Sequence, residues 1–165
     1  MIPLSIHRKL SGFSIIELMI VVLLIGLALS KGIPFTAEWV NSARVTEVES
    51  ALSESIALAK AKALRNAMGI VSGKAVSAVC FGDEILQVYE SKDEISPAEC
   101  GGNAVQIWQE TLPSNVTITL QGNEVSCLCF DAKGKFTLTG ACNNCATNTT
   151  FILTAGSTSE TVEIY

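Results

Sequence analysis

Histidine is almost missing from this sequence: His7 is the only one, and it lies ahead of a long apolar segment. Downstream of that segment, serine–histidine and cysteine–histidine catalysis are excluded, as are metal sites that need imidazole. No glycine-rich loop of the kind that cradles phosphate is present. Positive charge is also scarce in the C-terminal half. From Cys80 to Tyr165 there are three Lys against eleven Asp/Glu, a balance of −8, whereas Lys31 to Lys74 carries six Lys/Arg against four Glu, a balance of +2. An acidic half repels nucleic acid and anionic surfaces, so nucleic acid is not an expected partner. The chain reads as a non-enzyme with no cofactor and no metal.

What the chain has in quantity is apolar sequence and cysteine. Hydrophobic residues make up 48% of the 165, a figure inflated by residues 13–29, and the remainder has an ordinary composition with room for one domain. Phe13 to Ser30 would span about 27 Å as a helix, close to a hydrocarbon core of ~30 Å. His7, Arg8 and Lys9 precede it and only Lys31 follows closely. The positive-inside bias would therefore keep the N-terminal stub in the cytoplasm and export the rest. The run carries one acid, Glu17, and charge within a spanning segment is costly. A conventional signal peptide cut after Ala28-Leu29-Ser30 leaves that acid without a role, and so does an uncut anchor. A cut between Gly12 and Phe13 gives it one. The new α-amino group at Phe13 then lies about one helical turn from the Glu17 carboxylate. Pairing between chains would set the axial register of a helix bundle, because an unpaired charge in apolar surroundings is penalised.

The stretch "GFSIIELMIVVLLIGLALSKGIP" resembles the class III signal of type IV pilins and type II secretion pseudopilins. The resemblance implies cleavage by a prepilin peptidase between Gly12 and Phe13 and N-methylation of Phe13. It makes Glu17 the assembly residue and Pro34 the site of a helix bend. A phenylalanine first residue and a short leader resemble the type IVa subgroup. The implied organisation is a leader over 1–12, a transmembrane helix over 13–30, an amphipathic stalk helix over 31–69 and a periplasmic β-rich head over 70–165.

After Pro34, the residues Val45, Val48, Leu52, Ile56, Ala59 and Ala63 recur at three- and four-residue steps, an amphipathic helix that packs on a domain. Gly69 is a candidate stop. Lys60, Lys62 and Arg65 read as a solvated face near the helix C-terminus rather than as a binding patch. Beyond Ile70, short β-prone runs alternate with turn signals. They predict strands near Ala75–Phe81, Ile85–Tyr89, Val105–Gln109, Val116–Leu120, Val125–Phe130, Phe136–Thr139, Thr150–Thr154 and Thr161–Tyr165. The fold class expected is α+β: a long N-terminal helix, half of it in the membrane, packed on an antiparallel β-rich head. Trp39 reads as an interfacial anchor and Trp108 as core. "ALSESIALAKAKALRNAMG", "CLCFDAKGKFTLTG" and "TFILTAGSTSETVEIY" resemble segments of the GspH/FimT/FimU group of minor pilins.

All six cysteines, Cys80, Cys100, Cys127, Cys129, Cys142 and Cys145, fall in the head. Cys127 and Cys129 flank one strand residue and so share a face, while Cys142 and Cys145 form a C-x-x-C. Zinc is one reading of this C-x-C…C-x-x-C spacing. Disulfides are the preferred reading for an oxidising compartment. The pairing expected is Cys80–Cys100, with Cys127 and Cys129 bonded to Cys142 and Cys145 in an order left open.

The function expected is that of a minor type IV pilin, which primes or caps pilus assembly with other minor pilins and the major pilin. Its location would be the inner membrane, with a periplasmic head, and then the pilus. Alternatives are a pseudopilin of a type II secretion system, a major pilin, and a DNA-capturing pilin of natural transformation. The last is disfavoured by Glu160 and Glu163, which stand where arginines would be wanted.

Overall fold

The computed structural model describes residues 12–138 and 145–164, with the backbone alone described over 31–35. The chain divides into two units, Met1–Ala37 and Glu38–Tyr165. One helical assignment, α1 (Ile15–Arg65), contributes to both. The strands are β1 (Ser77–Gly82), β2 (Ile85–Glu90), β3 (Val105–Thr111), β4 (Val116–Leu120), β5 (Asn123–Glu124), β6 (Cys127–Phe130), β7 (Cys145–Ala146), β8 (Thr150–Ala155) and β9 (Thr158–Glu163). The architecture is mixed α+β.

The first unit corrects two expectations. Among the described residues no helix is long and apolar enough to cross a membrane. The membrane-spanning N-terminal helix, and with it the single-pass inner-membrane location, is therefore not supported. Phe13 and Ser14 lie outside the helix, which begins at Ile15. Pro34, the expected bend, falls in the stretch where only backbone is described, and that backbone is assigned helical.

In the second unit the six stripe residues of α1, Val45, Val48, Leu52, Ile56, Ala59 and Ala63, are all buried. They share a core with Val79, Leu86, Val88, Leu128 and Phe130 of one sheet and Phe151, Leu153 and Val162 of the other. Burial of a large aliphatic side chain is worth about 1.5–3 kcal/mol, so this stripe holds the helix to the head. Two polar links reinforce it. Ser77 Oγ donates to the Ala59 carbonyl over 2.7 Å, and Lys62 Nζ lies 3.1 Å from Glu90 Oε2. The ion pair is part-buried, and a double-mutant cycle through Lys62→Met and Glu90→Gln is expected to read about 0.5–1 kcal/mol in denaturant titration.

The helix stops at Arg65, short of Gly69, because Asn66 takes over. Its φ is +39°, and its side chain closes a loop by donating to the Ile70 carbonyl (3.0 Å) and accepting from the Ile70 N–H (2.8 Å). Asparagine tolerates this left-handed region better than most residues. Asn66→Ala removes both bonds and is expected to cost about 1–2 kcal/mol by chemical denaturation.

One sheet has the order β3-β2-β1-β6-β7 and the other β5-β4-β8-β9. All pairs are antiparallel except β6 with β7. Side-chain alternation gives β1 and β6 two buried faces. Val79, Leu128 and Phe130 face the helix-side core, while Ala78, Cys80, Cys127 and Cys129 form a second cluster with Ala75, Tyr89, Ala98 and Cys145.

Several strand expectations shift. The run expected over Val125–Phe130 starts two residues later, as β6, and β5 lies ahead of it at Asn123–Glu124. Phe136 makes only an isolated bridge to Phe130. The last strand starts at Thr158, because β8 and β9 form a hairpin that pairs Ala155 with Thr158 across Gly156, whose φ is +58°. Trp108 is half-buried against the main core, and Trp39 is 70% exposed.

Candidate functional site

The N-terminal end of α1 is built from a short local pattern. The Ser14 carbonyl accepts the N–H groups of Glu17 and Leu18 at 3.1 and 3.2 Å. Ser14 thus occupies the cap position and Glu17 the third helical position. Serine followed three residues later by glutamate is the spacing of a capping box, and a carboxylate in the first turn is favoured by the helix dipole. The sequence reading missed this local role, although the Ser14-Ile15-Ile16-Glu17 spacing announces it. Glu17 therefore has a reason to stand here in the isolated chain, besides any partner in a neighbour.

Around it, apolar side chains are open on every face of the helix. Phe13 and Ile15 are 80% and 82% exposed, and Ile16, Leu18, Met19, Leu23, Leu24, Leu27 and Leu29 are each more than half exposed. No charged residue occurs between Glu17 and Lys31. Gly12 is exposed, with open space where a side chain would stand. The structure therefore brings Gly12, Phe13 and Glu17 into one accessible segment. Residues 1–11, most of the expected leader, lie outside the described residues.

Cysteine chemistry gathers elsewhere, on the sheet face away from the helix. Cys80 and Cys100 form a disulfide with a Cα–Cα distance of 5.7 Å. Cys127 and Cys145 are directly opposite in the β6–β7 register and are bonded, their Cα atoms 4.7 Å apart. Cys129 Sγ lies 2.9 Å from Cys145 Sγ. Cys142 lies outside the described residues. The Cys80–Cys100 bond closes the segment from β1 to the loop before β3. Cys80→Ser with Cys100→Ser is expected to lower stability by about 2–4 kcal/mol in denaturant titration.

Scans against protein-family models, curated proteins and solved structures find no match.

A cavity of about 420 Å³ opens beside the cysteines, lined among others by Gln87, Tyr89, Glu99, Cys100 and Cys127. A second groove, of about 820 Å³, runs past Asp83, Glu84, Leu112, Asn115, Val116 and Glu124.

The loop after β2 is held by Asp93, whose carboxylate accepts from the Ser96 N–H at 2.7 Å, the Ser96 hydroxyl at 3.2 Å and the Ile95 N–H at 3.0 Å. These bonds, the Ser96 N–H foremost, hold its pKa below the ordinary aspartate value. A folded pKa below the unfolded one means that the loop is stabilised above the unfolded pKa. That stabilisation fades as pH falls through the folded value. In an acid titration followed by NMR, the Ser96 and Ile95 amide shifts should move below pH 3.8. Asp93→Asn should abolish that step.

Proposed function

We propose that this chain is a structural subunit of a type IV pilus-like filament, a minor pilin that takes part in priming or capping assembly with other pilins. The observation that carries the reading is the α1 segment from Ile15 to Leu29, apolar on all faces and uncovered within the chain. A helix of that composition is stable only when buried, and neighbouring helices of the same kind supply the burial in a bundle. Glu17, the one charge, lies one turn from Phe13. Cleavage after Gly12 would place a new amine there, and pairing it with Glu17 of an adjacent subunit would define the axial offset between copies.

The acidic head supports a role in presenting surface to partner subunits rather than to nucleic acid. Glu160 and Glu163 on β9 are exposed, which disfavours DNA capture by that hairpin.

The test is the intact mass and N-terminal peptide of the protein recovered from its native cells. A chain that begins at methylated Phe13 is the expected result. A chain that begins at Lys31 would remove the apolar segment and with it this reading.

A further inference from the structure

Three buried sulfurs meet at the β6–β7 edge. Cys127, Cys129 and Cys145 are 1%, 0% and 8% exposed, and their Sγ atoms all lie within 4.8 Å of one another. Two features converge them. Strand alternation points Cys127 and Cys129 to the same face of β6, and the parallel register sets Cys145 across from Cys127.

We propose that, in its reduced form, the head binds one Zn²⁺ through Cys127, Cys129 and Cys145. Zinc–sulfur bonds of about 2.3 Å put any two ligand sulfurs no more than about 4.6 Å apart. In a tetrahedral centre the sulfurs stand about 3.8 Å apart, so once the Cys127–Cys145 bond is open Cys145 Sγ has to move away from Cys129 Sγ, now 2.9 Å from it, to hold the ion. Among the described residues the group of possible ligands here is these three cysteines, with no carboxylate or imidazole in it, so the donor set is sulfur alone. Such a set selects thiophilic ions over Mg²⁺ or Ca²⁺. Cys127 also lines the cavity of about 420 Å³, which gives the ion a way in and leaves the fourth position open to a solvent molecule. Cys142 is no part of the proposal.

The chemistry balances with a two-electron reductant. A dithiol opens the Cys127–Cys145 bond, giving up two electrons and two protons and leaving as its own disulfide; any bond made by Cys129 opens in the same way. Zn²⁺ then displaces one proton from each of the three thiols to solvent, and the thiolates become its ligands.

The test uses the full chain, reduced with a phosphine under inert gas and titrated with Co²⁺ and then Zn²⁺. One cobalt per chain is expected, with a thiolate-to-cobalt charge-transfer absorption that Zn²⁺ abolishes. Zn²⁺ should protect Cys127, Cys129 and Cys145 from alkylation, mapped by peptide mass spectrometry, while Cys80 and Cys100 take up label. Cys129→Ser should weaken Co²⁺ binding at least tenfold, and Cys80→Ser with Cys100→Ser should leave it unchanged. Circular dichroism of every sample reports folding. Absence of the charge-transfer band in the reduced unsubstituted chain overturns the proposal. So does protection that spreads equally to Cys80 and Cys100, or binding that survives Cys129→Ser.

Discussion

Replacing Phe130 by alanine is expected to destabilise the head by about 3–5 kcal/mol, a large share of the total stability of a domain this size. Phe130 is fully buried at the end of β6. Its ring packs 5.0 Å from that of Phe136, and Lys60 Nζ lies 6.0 Å from its centre. It belongs to the same core as Leu52 and Ile56 of α1 and Leu153 of β8, so its loss opens a void that the helix and both sheets border. Only partial collapse is available to a core shared by three elements, which places the effect at the upper end for a large-to-small change. Urea unfolding followed by far-ultraviolet circular dichroism measures it. The control is Leu138→Ala, a residue 66% exposed, which should stay within about 0.5 kcal/mol. A shift of less than about 1 kcal/mol for Phe130→Ala would mean that the helix and the sheets do not share one core.

Glu17→Gln carries the largest expected effect on assembly. Glutamine serves the third position of a capping box nearly as well as glutamate, so the start of the helix at Ile15 is preserved. What disappears is the negative charge, and with it any ion pair to an α-amino group at Phe13 of a neighbour. Under the proposed function, the substituted chain is still cleaved after Gly12, and its recovery in sheared filament fractions falls at least tenfold while its cellular level is unchanged. Glu17→Asp keeps the charge on a shorter arm and should fall between the two. If Glu17→Gln entered filaments like the unsubstituted chain, Glu17 would be a helix-start residue and nothing more. Comparing the two substitutions therefore separates the cap from the intermolecular pair.

How much of this was legible beforehand differs between elements. The stripe from Val45 to Ala63 could be read because a helix buries residues three and four apart whatever it packs on. The shared face of Cys127 and Cys129 could be read for the same kind of reason, since strand alternation is a local property. Helix ends were less legible. The Ser14 carbonyl accepts the first helical bonds and the Asn66 side chain closes a loop onto Ile70, so the helix runs from Ile15 to Arg65.

The sequence by itself determined the amphipathic stripe, the turn-punctuated strands and the single acid in an apolar run, because each follows from periodicity or composition within a few residues. Only the tertiary structure decided that the strands divide into two sheets, that β7 pairs in parallel with β6, and that Cys145 meets Cys127 and Cys129. Those outcomes depend on contacts between residues far apart in the chain. In particular, the two-residue strand Cys145–Ala146 is too short to carry any alternation of its own, so its register comes entirely from the partner strand it meets.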